Sequence, residues 1–526
     1  MSNITSIAQP ARTNTDKIAK NFAWNGLDLL LSTVGMVIVS VAVARVLGPT
    51  RLGHFNLIYW TTSITGLVGS LGVPATTFKY MGEFLGAGRN DLARGTFFYS
   101  LKLQAFIGLG ISAAGLLLVL TIGDPAYRLV SVLLVVSILP QMLTFIPSQA
   151  NSAAENTAAN VRGSQAGALV NLCGVLLSLG LHWDLVGIAV TILTYRVVEL
   201  MVKLVPVWRR LNGCPPGLLP AEVKERMFSY SGYSTGLMLL QVVVLDRSDI
   251  VLLKLLQPDI RQIAFFSIAF SLADRLLRVP QAFGSAVSYT QMAEYGRDRE
   301  RLFRLTGVAG TYSLLMAAPL LLGAACISGP LFKFFYGAKY LPAVPVFMIV
   351  AVFAISKAVL APAQNLLYSA EDLSFLLKWL FVCGVVNVAI DFALIPHHGA
   401  WGAAIGNGVA QTTIAVAVWG RALRKYRVQP SVVALSKIIL AALVMCLVVI
   451  LMVTGPFPMP VKLFVAPIGG MATFVCLLRG MSVLSKEDRA RLVAVGRLSP
   501  FPLRGWFQHL TDSAVPPTVI QSSRET

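Results

Sequence analysis

Apolar stretches succeed one another along almost the whole chain, separated by connections too short to hold a folded domain. Residues 107–122, 129–143, 314–327 and 438–453 contain no charged side chain. A bilayer core about 30 Å thick is crossed by about 20 mostly apolar helical residues. The pattern predicts about fourteen spans, near 22–47, 55–80, 96–122, 126–149, 163–182, 184–208, 227–255, 262–290, 304–328, 340–369, 374–395, 399–420, 432–454 and 459–479. Uninterrupted apolar runs of this length exclude a strand-based barrel, whose segments alternate. The expected fold class is an all-α integral membrane protein.

Composition agrees and charge adds orientation. Of 526 residues, 56% are hydrophobic and 13% charged, against about 25% charged in ordinary soluble domains. Residues 1–20 are polar and lack an apolar h-region, which predicts no cleaved signal peptide. With the N-terminus inside, the inner connections hold Arg209, Arg210, Lys224 and Arg226, then Arg297, Arg299, Arg301 and Arg304, then Arg421, Arg424, Lys425 and Arg427. The tail adds Lys486, Arg489, Arg491, Arg497 and Arg504, while the outer connections hold only Arg51, Arg128, Arg261, Lys333 and Lys339. Basic loops stay on the cytoplasmic side, so both termini are expected in the cytoplasm and the chain in the cell inner (plasma) membrane. The net charge of +19 is then a topology signal. It does not point to nucleic acid, which would need basic residues interleaved with aromatics on a soluble face.

Other chemistry is sparse. Cys173, Cys214, Cys326, Cys383, Cys446 and Cys476 are scattered, five of them inside predicted spans, and read as small core residues. His397 and His398 sit in a short outer connection and make no metal site alone. No G-x-x-x-x-G-K-[ST] occurs, so a self-contained ATP-driven pump is excluded. No cofactor or resident metal is expected. Movement of a cargo would draw on an H+ or Na+ gradient or on the cargo's own gradient.

The apolar row repeats itself. VARVLGPTRLGHFNLIY (43–59) has the same order of span, Pro turn and aromatic-led span as LLKLLQPDIRQIAFFSIAF (252–270). Glu83 before a basic cluster recurs as Glu294, and WDLVGIAV (183–190) recurs as HGAWGAAI (398–405). Three landmarks in one order at nearly constant offset predict two six-helix units. The organisation expected is a cytoplasmic tail (1–21), an N-lobe (22–208), a cytoplasmic linker (209–226), a C-lobe (227–420), two appended helices (432–479) and a cytoplasmic tail (480–526). An even helix number relates the lobes by a pseudo-two-fold axis along the membrane normal, with a central site between them.

At these residues the chain resembles a known family. ARVLGPTRLGHF (44–55), LDRSDIVLLKLLQP (245–258), IPHHGAWGAAIGNGVAQ (395–411) and LSKEDRARLVAVGRL (484–498) look like the Wzx-like polysaccharide-transport flippases of the MOP exporter superfamily. The likeness runs from about residue 20 to residue 498. It implies a fourteen-helix, MATE-like transporter that moves polyprenyl-diphosphate-linked oligosaccharides from the cytoplasmic to the outer leaflet. Membrane lipid is then a partner, together with a polysaccharide polymerase or other biosynthesis proteins.

The residues can be read independently of that likeness. Ionisable groups inside spans are costly and mark site candidates. Arg247, Arg275 and Arg278 are expected to take a diphosphate head group, since guanidinium matches a forked anion better than ammonium does. Lys357 adds a point charge, with Gln364 and Tyr368 on the same helical face. Gln364, Tyr368, Asn387, Asn407 and Gln411 are candidate glycan contacts. Asp28 (on a polar stripe with Asn21, Asn25 and Ser32), Asp246 and Asp249 are candidate ion-coupling groups. Structural alternatives stand beside these: Asp274 with Arg278, and Arg196 with Glu199 and Lys203, have the spacing of self-neutralising sets. Gln141, Thr144, Ser148 and Glu155 lie along one side of the fourth span. Gly69, Gly72 and Pro74, Pro280, and Pro362 are expected bend points, and Gly402 and Gly406 a close-packing face. Two other functions fit the helix count. A drug or cation extruder would favour buried acids over arginines. A membrane glycosyltransferase, polymerase or acyltransferase would need a large outer loop or a deep catalytic His or Asp set.

Overall fold

The computed structural model describes residues 10–482 apart from 216, 246–248, 296–297 and 371, with side chains from residue 33 onward except 233, 237, 240–245, 282–290 and 292–295. Regular structure in these residues is helical: α1 (Pro10–Gly69), α2 (Val73–Gly86), α3 (Asn90–Ile122), α4 (Arg128–Val136), α5 (Ile138–Ala153), α6 (Thr157–Gly180), α7 (Asp184–Asn212), α8 (Ala221–Leu245) and α9 (Asp249–Leu256). Then come α10 (Arg261–Tyr295), α11 (Arg299–Cys326), α12 (Ser328–Leu331), α13 (Ala343–Ser369), α14 (Leu373–His398), α15 (Ala400–Lys425), α16 (Val432–Thr454) and α17 (Ala466–Gly480). Ten of the described helical segments are long and apolar enough to cross a membrane. This is a multi-pass membrane protein.

The breaks between helices have local causes. Gly48, at φ 71°, splits α1 just before Pro49, so the first expected turn falls at the Gly-Pro pair. The second expected span is interrupted at residues 70–72: Gly72, at φ 67°, opens α2, with Pro74 in its first turn. Pro280 and Pro362, by contrast, lie inside continuous helices. The bend expected at Pro280 as the counterpart of the one in the second span is therefore not a helix break. Nothing in the sequence announced the division of α4 from α5 at Ser137, described below.

The chain divides into two compact units. One comprises residues 27–268 and 380–410, the other residues 1–26, 269–379 and 411–526. In the first unit, α2, α3, α5, α7 and α8 pack around Tyr80, Phe84, Phe97, Ile146, Leu211 and Met227. In the second, α11, α16 and α17 pack around Leu314, Ala318, Ile438, Met445 and Phe474. Outward apolar side chains such as Phe106 (79% exposed) and Ile122 (76%) on α3 are what a lipid-facing helix presents. All six cysteines are free thiols.

Candidate functional site

Deep polar groups fall into separate clusters. The most completely buried is in the first unit, where α9, α14 and α15 meet. Asp249 opens α9 and is wholly buried. Asn387 Nδ2 of α14 donates to its Oδ1 over 3.1 Å, and Asn407 Nδ2 of α15 donates to its Oδ2 over 3.0 Å. One turn beyond Asn387 stands Asp391, also wholly buried, its carboxyl beside that of Asp249. Among the described residues no donor reaches either Asp391 oxygen, nor Asn387 Oδ1. Two adjacent carboxylates in an apolar interior carry too much negative charge unless a proton or cation joins them.

Glycine makes this cluster possible. A Cβ on Gly406 would overlap Asp391 Oδ1 and sit 3.5 Å from Asn387 Oδ1. One on Gly402 would come within 2.6 Å of the Leu394 carbonyl carbon. The G-x-x-x-G face thus lets α15 approach the α14 backbone closely enough for Asn407 to reach Asp249. Every ligating atom on offer is a carboxylate or amide oxygen, which suits a hard cation or a proton.

A second cluster of the same unit surrounds Arg196 of α7, which is 5% exposed. Its Nη1 donates to Ser137 Oγ (2.7 Å) and to the Ser137 carbonyl (3.2 Å), and its Nη2 donates to Ser63 Oγ (3.1 Å). Gln141 Nε2 donates to the Ser63 carbonyl over 3.1 Å. The guanidinium lies 5.8 Å from the Tyr59 ring centroid. Arg196 therefore braces the α4–α5 junction against α1. Glu199 pairs with Lys203 instead, at 2.5 Å, and Gly163 and Gly167 of α6 leave room for those two side chains. The set suggested by spacing divides into a brace and an ion pair.

The second unit holds the basic candidates. On α10, Arg275 and Arg278 are half-buried, one and four residues beyond Asp274. Lys357 Nζ of α13 lies 3.7 Å from Asp274 Oδ1 and 5.9 Å from the Phe270 ring centroid. Among the described residues, Asp274 thus pairs with Lys357 of another helix. Further along α13, Gln364 Nε2 donates to the Tyr368 hydroxyl at 3.0 Å. Gln411 is buried on α15. Leu277, Ala317, Leu321, Ala354 and Ala358 pack α10, α11 and α13 together behind this charged face. Gln291 Nε2 and Trp419 Nε1 donate to the Pro362 and Val359 carbonyls, bracing α13 where proline removes a helical bond.

Asp246 and Arg247 lie outside the described residues, as do the side chains of Asp28 and Glu294 and the tail from residue 483. Asp391 is the group that sequence reasoning missed. Its signal was its position four residues after Asn387, on the same helical face.

The polysaccharide biosynthesis protein family matches residues 42–345. The chain belongs to that family. Family membership accords with the Wzx-like motifs, and the fold has counterparts among solved MOP-superfamily transporters. A lipid II flippase MurJ in an inward closed conformation superposes with a TM-score of 0.70 at 14% identity, covering 86% of this chain and 97% of that one. An inward-facing MATE family multidrug resistance transporter gives 0.63 at 14% identity, covering 77% and 96%. A MOP superfamily transporter from Pyrococcus furiosus, described as having a binding pocket of reversed polarity, gives 0.59 at 13% identity, covering 78% and 96%. At such identities the likeness shows a shared transporter fold. No curated protein matches the chain in sequence.

Proposed function

We propose that this family member is a flippase that carries a polyprenyl-diphosphate-linked oligosaccharide from the cytoplasmic to the outer leaflet, by alternating access and with ion coupling. The observation that carries this reading is the basic face of α10 and α13, with Arg275, Arg278 and Lys357, in a polysaccharide biosynthesis chain of transporter fold. Guanidinium and ammonium groups at membrane depth match a diphosphate, and Gln364 and Tyr368 beside them match sugar hydroxyls. The lipid tail stays in the bilayer. In this reading the second and seventh spans, with the more polar α10 and α15, join the ten apolar segments to complete fourteen crossings, with both termini cytoplasmic.

Ion coupling is assigned to Asp249 and Asp391. Asn387 and Asn407 serve as their hydrogen-bond partners in this reading, which moves them from the glycan to the ion. The fit rests on the Asp391 oxygens, which have no donor among the described residues. A bound H+ or Na+ would remove the repulsion and change how α9, α14 and α15 pack. A MATE-like drug antiporter is the second reading, favoured by the same acid pair. Both acids are wholly buried, which argues against direct contact with a bulky drug cation.

The decisive experiment is leaflet transfer of a fluorescent polyprenyl-diphosphate-linked oligosaccharide in proteoliposomes of the purified chain. Transfer that depends on protein and weakens about a hundredfold in R275A/R278A, with folding retained, is expected from the loss of two charge-assisted contacts. Unchanged transfer by that double variant removes these arginines from the cargo site. Export of a cationic dye in place of the glycolipid replaces the flippase reading with the antiporter.

A further inference from the structure

One end of the first unit, where α2 and α7 finish and α3 and α8 begin, carries an arrangement unrelated to the buried clusters. Four cations there rest on aromatic rings. Lys79 Nζ lies 4.1 Å from the Tyr230 ring centroid and 5.4 Å from that of Tyr80. The Arg226 guanidinium lies 5.5 Å from the Tyr80 centroid, and Tyr80 meets Tyr230 edge-on at 6.3 Å. Beside them, Arg94 lies 5.7 Å from Phe98 and donates to the Cys214 carbonyl, and Lys224 lies 5.8 Å from Tyr99.

A cation on a ring face keeps its full charge, whereas one on a carboxylate is neutralised. Among the described residues no ion pair involves Lys79, Arg94, Lys224 or Arg226. Glu83, Glu222 and Glu225 are exposed on the same turns of α2 and α8 without reaching them. Ring contact also holds these long side chains in place, so less conformational entropy is lost when they bind an anion.

The apolar surroundings identify the anion's carrier. Phe228 is 81% exposed two residues from Arg226, and Phe78 is 48% exposed next to Lys79. A soluble phosphate gains nothing from such rings. A lipid gains acyl contact from the rings and phosphate contact from the cations.

We propose that Lys79, Tyr80, Arg226 and Tyr230 form a headgroup site for an anionic glycerophospholipid. Lys79 and Arg226 take the phosphate, and the acyl chains run along Phe78 and Phe228. The site stands apart from the cargo reading, since its residues belong to neither cluster used there.

The test measures binding of phosphatidylglycerol and of phosphatidylcholine to the purified full-length protein by native mass spectrometry. K79Q/R226Q, Y230L and, as a control at an exposed lysine of the other unit, K339Q are compared with the unaltered chain. Phosphatidylglycerol should bind at least about tenfold more tightly than phosphatidylcholine, and K79Q/R226Q should lose between about tenfold and thirtyfold of that affinity. Y230L, which keeps both charges, should lose about threefold through the ring contact. K339Q should bind as the unaltered chain does, and the thermal midpoint without lipid should be the same in all four proteins. Equal affinity for the two lipids overturns the proposal, as does undiminished binding by K79Q/R226Q. A polyprenyl diphosphate that binds here where phosphatidylglycerol does not also overturns it.

Discussion

Asn407 Nδ2 donates to Asp249 Oδ2 at 3.0 Å, joining α15 to the first residue of α9 across 158 positions of sequence. With Asn387 on the other carboxylate oxygen, Asp249 is held from two helices while Asp391 stands beside it without a donor. In D391N the repulsion between the carboxyls disappears and an amide can donate to Asp249 in place of the ion. Transport by D391N in proteoliposomes should lose its dependence on an H+ or Na+ gradient, while the unaltered chain keeps it. A D391N protein that still follows the gradient would place coupling elsewhere.

N407A tests the cluster through stability. Removing one donor leaves Asp249 Oδ2 buried without its partner, at a cost of about 1–3 kcal/mol. The thermal midpoint in detergent should fall by several degrees, and adding the coupling cation should recover part of the loss by binding the folded form.

Glycine substitutions separate packing from backbone propensity. G402A brings a methyl within 2.6 Å of the Leu394 carbonyl carbon, so α14 and α15 must move apart. A loss of about 1–3 kcal/mol is expected for such overpacking. A Cβ at Gly110, in the middle of α3, meets nothing within 4 Å. G110A should leave stability unchanged or raise it by about 0.4–1 kcal/mol. Thermal unfolding of both variants side by side checks the contrast.

Much of the fold was legible because hydropathy reports lipid contact directly, and because Gly48-Pro49 and Gly72 impose breaks through their own backbone chemistry. The Ser137 junction has no glycine, and its stabilising contact comes from Arg196, 59 positions away. No periodicity in α4 or α7 records that meeting. The deep charges were visible as charges, but their partners were not. Spacing offered Arg278 to Asp274, and the fold supplies Lys357 from another helix. Asp249 stood out as a deep acid, whereas Asp391 took its meaning only from the approach of α9 to α14.

Arg196 gives a further test at the brace. R196K keeps the charge, but one ammonium cannot reproduce the planar fork that meets Ser137 and Ser63 together. A destabilisation of about 1–3 kcal/mol is expected for the buried acceptors left behind. S137A removes only the hydroxyl contact and should cost less, about 0.5–1.5 kcal/mol. Equal thermal midpoints for R196K and the unaltered chain would show that the brace adds no stability.

Asp372, between α13 and α14, supplies a pH signature outside the spans. Burial alone would raise its pKa. Hydrogen bonds from Arg421 Nε (3.0 Å), Lys425 Nζ (2.8 Å) and the Tyr426 hydroxyl (3.1 Å) outweigh burial and hold the carboxyl down to about 2. An unfolded Asp titrates near about 3.9. A folded pKa below the unfolded one means that the stabilisation is fully present above about pH 4 and is lost as pH falls toward about 2. Arg421 and Lys425 are partly exposed, so water screens the interaction and the contribution is on the order of 1–2 kcal/mol. Unfolding of the unaltered chain and D372N, followed between pH 5 and about 2, should converge at the acid end because protonation removes the same charge as the substitution. A stability difference that stays constant across that range would assign the effect of D372N to packing and leave the ion cluster without a role.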